Sequence, residues 1–189
     1  MDTKKNEDWL KNYLNVYKNT IFNKKAITYL SEVKSIFINA SKNGKKIIFA
    51  GNGGSAAIAS HCSVDLTKNA GIRSINFNEA DLITCFANDF GYENWVSKSI
   101  EYYADNGDVI VLISSSGNSM NMVQASIVAK KMKMKTITFT GFDKDNKLKK
   151  QGDINFWVDS RSYNIIEMTH HIWLLALVDL IIGKAEYSA

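Results

Sequence analysis

Two pairs of carboxylate and imidazole side chains occur at spacings that suit chemistry. Asp65 follows His61 by four residues, and His170 follows Glu167 by three. Residues three or four apart lie on one face of a helix, so each pair presents a carboxylate beside an imidazole. Such groups can transfer protons or bind a divalent metal such as zinc. His171 lies four residues after Glu167 and could replace His170, and each pair taken alone also fits an ordinary solvated helix position.

Two loops rich in glycine and serine each follow an apolar run and open a helix. The first is GNGGS at residues 51–55, and the second is SSSGNS at residues 114–119. Glycine lets a ligand approach the backbone, a helix amino end offers N–H groups to an anion, and serine hydroxyls add donors. One such loop can equally be a structural turn, but two in tandem predict a phosphate cradle. Neither matches a dinucleotide fingerprint or a Walker loop, which disfavours nucleotide cofactors.

The elements that position these residues alternate between strand and helix. Five short apolar runs predict strands, at residues 45–50, 74–77, 109–113, 136–140 and 154–158. Helical patterns separate them, which predicts a single α/β domain over residues 1–189 with a parallel sheet covered on both faces over 43–185. Two amphipathic helices over residues 1–42 come first. Their aromatic faces, and the apolar last helix, exceed what one sandwich needs and predict an oligomer.

Composition excludes several classes of protein. The 189 residues, 46% of them hydrophobic, suit one core. A charge of +4 with only two arginines and scattered lysines argues against nucleic-acid binding. The longest apolar run, residues 172–182, is too short to span a bilayer, and residues 1–8 are too charged for a secretory signal. Two cysteines without motif spacing fit a reducing compartment, so we expect a cytoplasmic protein without a membrane partner.

Four segments resemble a known family in order and spacing: AGNGGSAAIASH, FANDFGYE, DVIVLISSSGNSMNMVQA and KTITFTG. Together they are similar to the sedoheptulose 7-phosphate (phosphoheptose) isomerase branch of the sugar isomerase (SIS) family, from the first helices to about residue 179. The serine loop alone would indicate only the SIS fold. The resemblance implies a single SIS domain, an αβα sandwich with a five-stranded parallel sheet, assembled as a homotetramer with active sites between subunits.

The resemblance also assigns substrate-binding positions. It implies that Ser114, Ser116 and Ser119 hold the phosphate of a phosphosugar. The other substrate-binding residues that it implies are Asn52, Gly53, Ser55, Asp89 and Ser115.

Acid–base and metal positions follow from the same resemblance, with two departures. The family's zinc-site histidine falls on His61, its catalytic glutamate on Asp65 and its late glutamine on Glu167. Its late catalytic histidine falls on Leu175, so the acid role is vacant unless His170 or His171 takes it. A short arginine-containing stretch is also missing, which leaves a tighter loop at residues 67–73.

We therefore predict an aldose–ketose isomerase that converts sedoheptulose 7-phosphate, or a close phosphosugar, through an enediol for surface-polysaccharide heptose. Asp65 is the predicted base and His170 the predicted acid. Glu167 and His61 are predicted to position them, or to share a zinc ion with them. The alternative is a phosphosugar-sensing or partner-binding SIS protein without turnover, because a related regulatory branch that binds the replication initiator also lacks the late histidine. That branch usually lacks an acidic residue at position 65, which this chain retains.

Overall fold

A computed structural model of the chain describes residues 3–186. Seven helices and five strands follow one another in those residues. The helices are α1 (Thr3–Ile21), α2 (Lys24–Lys42), α3 (Gly54–Lys68), α4 (Ala80–Phe90), α5 (Trp95–Tyr103), α6 (Met120–Lys131) and α7 (Tyr163–Ile182). The strands are β1 (Ile47–Gly51), β2 (Ser74–Asn76), β3 (Val109–Ser114), β4 (Lys135–Thr140) and β5 (Ile154–Trp157).

All five strands form one parallel sheet in the order β2-β1-β3-β4-β5. Every residue of β1 and of β3 is buried, as expected for central strands with helices on both faces. Strand β2 lies on one side of β1, and β3, β4 and β5 follow in that order on its other side. The predicted αβα sandwich with a five-stranded parallel sheet is therefore confirmed.

Alternate side chains along the strands pack into two hydrophobic cores, one on each face of the sheet. On β1, Ile47 and Phe49 enter the core beneath α2, α3 and α7, whereas Ile48 enters the core beneath α5 and α6. This two-residue alternation is the ordinary consequence of strand geometry. Phe139 and Phe156 stack across β4 and β5 with ring centroids 4.3 Å apart, which ties the far half of the sheet to the first core.

The last helix is apolar on almost every side because much of it is core. Its buried residues are Ile165, Ile166, Thr169, His170, Trp173, Leu174, Leu177 and Val178. By length and composition it is the one helix among residues 3–186 that could cross a membrane. The apolar character of this helix thus extends over more residues than the run at 172–182. Packing of α7 against α1, α2 and α3 accounts for this composition in a folded core.

The first helix lies outside that core. None of its described residues is buried, and Trp9 and Leu14 are each 62% exposed. It is held to α7 by a hydrogen bond from the hydroxyl of Tyr17 to the carbonyl of Asn164, at 3.0 Å. An apolar face on a helix that contributes nothing to its own core is typical of a protein interface. The assignment of residues 1–42 to subunit contacts stays a prediction.

Candidate active site

The candidate site lies where β1 and β3 end side by side. Because the chain departs in opposite directions from these neighbouring strands, this is the switch point at which ligands collect in open α/β sheets. A cavity of about 120 Å³ opens there. It is lined by Asn52, Ser55, Ile113, Ser114, Ser115, Ser116, Ser119, Tyr163 and Glu167. The structure thus brings together six of the predicted substrate-binding residues and Glu167, although their roles stay predictions.

The serine loop turns its hydroxyls toward the amino end of α6. The hydroxyl of Ser114 lies 3.2 Å from that of Ser119, and Ser116 Oγ accepts the backbone N–H of Asn118 at 3.2 Å. Ser119 occupies the N-cap position of α6, yet its side chain makes no capping hydrogen bond. Its hydroxyl and the first N–H groups of the helix are therefore available to an anion.

The carboxylate of Glu167 occupies the amino end of the other helix, α3. It accepts a hydrogen bond from the hydroxyl of Ser115, 3.3 Å from Oε1. A Cβ atom on Gly54, the first residue of α3, would collide with Glu167 Oε2, so glycine is required for this approach. A carboxylate at a helix amino end is stabilised by the helix dipole. Because the carboxylate of Glu167 already occupies the amino end of α3, the amino end of α6 is the better of these two positions for a phosphate.

Asn52 of the cavity lining is paired with the amide of Asn121, a residue that the sequence analysis missed. Asn52 donates to Asn121 Oδ1 at 3.0 Å and Asn121 donates to Asn52 Oδ1 at 2.8 Å. The hydroxyl of Tyr92 also donates to Asn52 Oδ1, at 3.2 Å. These contacts hold the Asn52 amide in one orientation. Tyr163, which lines the cavity, was missed as well. Neither Asn121 nor Tyr163 belongs to a recognisable motif, and only the fold brings them to this region.

A second cluster lies farther along the interface of α3 and α7. His61 Nε2 lies 3.2 Å from Asp65 Oδ2, and His61 Nδ1 lies 2.9 Å from His171 Nε2. The carboxylate favours a proton on Nε2 of His61, which leaves Nδ1 to accept the N–H of His171. The three side chains form a chain along which protons can move. His61 and Asp65 are thus brought together as predicted.

His170 is absent from this cluster, which corrects the predicted grouping. Its side chain is fully buried against the sheet, where Nε2–H donates to the carbonyl of Thr140 at 3.1 Å and the ring contacts Phe139. Adjacent residues of a helix point about 100° apart, so His170 faces the sheet while His171 faces α3. His171 is the histidine that meets His61, and the prediction that His170 lies on the pocket side is wrong.

Burial gives His170 an expected effect on stability. Burial lowers the pKa of His170 from 6.5 to about 4, and the hydrogen bond to Thr140 opposes this only in part. Below pH 6.5 the unfolded chain binds a proton that the folded chain excludes, so stability should fall as pH falls from 6.5 toward 4, by up to about 1.4 kcal/mol per unit. Urea unfolding of wild type and His170→Gln between pH 5 and pH 7 measures this, and equal pH slopes would contradict it.

Two predicted substrate-binding residues, Asp89 and Gly53, lie outside these clusters, and so does Leu175. Asp89 is exposed on α4, where it accepts a hydrogen bond from the side chain of Asn88 at 2.9 Å, and it does not line the cavity of its own chain. Gly53 precedes α3 with a φ of 54°, a conformation that favours glycine. Leu175, at the position of the family's late histidine, packs against the first core.

The residues of one chain do not fit a complete metal centre. No group of three or more histidine, cysteine, aspartate or glutamate side chains in the described part of the chain could hold a metal ion. Both ring nitrogens of His61 already face protein groups, namely Asp65 and His171. The predicted set of His61, Asp65, Glu167 and His170 is not assembled, because His170 is in the core. The described residues of one chain therefore do not form the predicted zinc site.

An αβα sandwich with two glycine- and serine-containing loops at its switch point belongs to the open α/β class of ligand-binding folds, and comparisons specify it further. Residues 9–141 match the SIS domain family. Phosphoheptose isomerase from Buchnera aphidicola subsp. Acyrthosiphon pisum is 36% identical over 174 residues, covering 89% of this chain and 90% of that protein. The one from Aliarcobacter butzleri is 34% identical, covering 84% and 86%. The chain therefore belongs to the SIS domain family.

Solved structures agree with this assignment. The structure of phosphoheptose isomerase GmhA from Neisseria gonorrhoeae superimposes with a TM-score of 0.86 at 25% identity, covering 96% of this chain and 99% of that one. A phosphoheptose isomerase from Francisella tularensis gives a TM-score of 0.85 at 23% identity, covering 97% and 100%, which supports the fold alone. The resemblance inferred from the sequence motifs is thus confirmed.

Proposed function

We propose that this protein is an aldose–ketose isomerase of a phosphosugar, with sedoheptulose 7-phosphate as substrate and D-glycero-D-manno-heptose 7-phosphate as product. The observation that carries the proposal is the chain of Asp65, His61 and His171, on the same two helices that frame the serine cavity. The relatives named phosphoheptose isomerase support the choice of substrate.

The separation of the two clusters suits a long sugar phosphate. His61 is seven residues beyond Gly54 on α3, a rise of about 10 Å along the helix axis. His171 is one turn beyond Glu167 on α7. With its phosphate among the serines at the amino end of α6, an extended seven-carbon sugar would direct its carbonyl end toward His61 and Asp65. The substrate would thus lie along the interface of the two helices.

The chemistry is a proton transfer between neighbouring carbons. Asp65 removes a proton from C1 of the ketose, which gives an enediol, and returns it to C2 to give the aldose. The proton on the C1 oxygen must reach the C2 oxygen during the same conversion. His61 and His171 are joined at 2.9 Å and can carry it, which replaces the acid role first predicted for His170. Glu167 holds the hydroxyl of Ser115 and the amino end of α3 in place.

Turnover tests the proposal directly. Purified protein incubated with sedoheptulose 7-phosphate should produce the aldose phosphate, followed by NMR. In deuterated water, proton abstraction from carbon should incorporate deuterium into the substrate. A second candidate is a phosphosugar-sensing protein without turnover. It is favoured by Leu175, which stands where the family has its late catalytic histidine. Saturable binding of sedoheptulose 7-phosphate without product or deuterium exchange would establish that candidate instead.

The phosphate cradle makes a separate prediction. Replacing Ser116 or Ser119 with alanine should weaken phosphosugar binding by about 1.5–3 kcal/mol, because each removes a charge-assisted hydrogen bond. Isothermal titration calorimetry measures the change. Ser160→Ala is a matched control, since Ser160 is outside the cavity lining. Unchanged affinity in both cradle variants would exclude the serine loop from the site.

Assembly as a homotetramer is part of the proposal. The exposed apolar side chains of α1, including Trp9, Leu10 and Leu14, need a partner surface, and closed symmetry would cover them all. Light scattering should give four times the 21.2 kDa chain mass. Leu14→Asp should shift the protein toward smaller species, whereas Lys11→Asp on the same helix should not. A stable wild-type monomer at micromolar concentration would refute the assembly.

Binding of zinc and a cytoplasmic location both stay predictions. Elemental analysis of protein purified without chelators would reveal bound zinc, and His61→Ala should then lower the zinc content. Cell fractionation tests the expected cytoplasmic location. A role in supplying heptose for surface polysaccharide depends on the proposed substrate, and loss of that polysaccharide on deletion of the gene would support it.

A further inference from the structure

A second cavity lies at the far edge of the sheet, between the amino end of α2, the loop after β4 and strand β5. Its volume is about 410 Å³, within the range of roughly 300–1,000 Å³ that is usual for small-molecule sites. It shares no lining residue with the serine cavity. The proposed isomerase reaction gives it no role.

Positive charge crowds the wall of this cavity. Lys25, Lys144 and Lys149 line it, and none of these three ammonium groups forms a salt bridge within residues 3–186. Burial, together with the charges of Lys25 and Lys144, lowers the pKa of Lys149, and Asp145 opposes this. Mutual repulsion of these groups is relieved when an anion enters.

The lysines are positioned by aromatic rings. The ammonium of Lys149 lies 4.4 Å from the ring centroid of Trp157, and that of Lys25 lies 5.3 Å from the ring centroid of Tyr29. Cation–π contacts of this length hold a charge in place without neutralising it. Each ammonium thus lies over one face of its ring.

The first turn of α2 adds to this field. Lys25 and Ala26 of that turn line the cavity, and the turn contains no acidic residue. The side-chain oxygen of Asn23 already accepts the N–H groups of Lys25 and Ala26, at 3.0 and 3.1 Å, so α2 contributes the field of its positive end and not these two N–H donors. The side-chain amide of Asn155 supplies a polar group on the β5 side.

We propose that this cavity is a second ligand site that binds the diphosphate group of a small molecule. Three unpaired ammonium groups and a helix amino end match a ligand with several closely spaced negative charges better than they match a single carboxylate. All of these positive groups recognise the anion, so the proposal requires a diphosphate and no base or other ring.

Indole N–H signals provide a direct test of this site. The chain has four tryptophans, so the protein labelled with ¹⁵N at the indole gives a simple spectrum in which Trp157→Phe assigns the Trp157 signal. Titration with pyrophosphate should shift that signal saturably, with a Kd below about 1 mM. ADP should bind within about threefold of pyrophosphate, because the proposed contacts are all with the diphosphate group. Binding that requires the adenosine part would contradict the assignment.

Matched variants separate this site from general ion binding and from the serine cavity. Lys25→Gln and Lys149→Gln should each raise the Kd at least about fivefold. Lys150→Gln removes the same charge outside the cavity lining and should leave the Kd unchanged, as should Ser116→Ala. Circular dichroism verifies folding of each variant. Absence of a saturable shift, the same shift with sulfate at equal ionic strength, or full binding in both cavity variants would overturn the proposal.

Discussion

Asp65→Asn should lower the turnover of sedoheptulose 7-phosphate by ~10²–10⁴ while leaving substrate binding largely intact. The amide keeps the size of the carboxylate and can still accept a hydrogen bond at the position 3.2 Å from His61. It cannot take a proton from carbon. Steady-state kinetics should therefore show a fall in kcat with little change in KM, and deuterium exchange into the substrate should fall in parallel.

A matched control makes this result specific. Asp159→Asn removes an exposed carboxylate next to β5, three strands away from β1 and α3, and should keep wild-type turnover. Asp65→Glu restores a carboxylate on a side chain longer by one methylene and should recover part of the lost activity. Turnover of Asp65→Asn within about threefold of wild type would rule out Asp65 as the base, because loss of a general base usually lowers the rate by about 10²–10⁴-fold.

The local parts of the site were predictable from the sequence. Polar, glycine-rich segments directly after the apolar runs of β1 and β3 had to lie at strand ends, and parallel strands place those ends at one edge of a sheet. His61 and Asp65 are one helical turn apart, so their proximity needs no knowledge of the rest of the fold.

What the sequence did not reveal depends on contacts between distant elements. The choice between His170 and His171 is a choice of rotation about the axis of α7. Because α7 is apolar on almost every face, its pattern does not indicate which side meets the sheet. Tyr163 lines the cavity, and Asn121 contacts the lining residue Asn52, only because α7 and α6 start beside the serine loop. Neither has a spacing that marks it in advance.

The two adjacent histidines of α7 should behave in opposite ways when replaced. His171→Gln should lower kcat by ~10²-fold or more, because it breaks the proton path at the 2.9 Å contact with His61. His170→Gln should keep most activity, because its side chain is buried against the sheet. Its effect should instead appear in the free energy of unfolding. Equal loss of turnover in both variants, with both folded, would refute the separation of roles.

The pH dependence of kcat/KM adds a further test, because a purely structural role of His171 would not affect it. Burial and the neighbouring ring of His61 lower the pKa of His171, with Asp65 opposing, so His171 is neutral at pH 7 and ready to accept a proton. As pH falls through this lowered pKa, below the usual value near 6.5, protonated His171 can no longer accept one. The kcat/KM of wild type should therefore fall on the acid side of that pKa, and His171→Gln should lose this acid limb. An unchanged acid limb in His171→Gln would assign the titration to another group and remove His171 from the proton path.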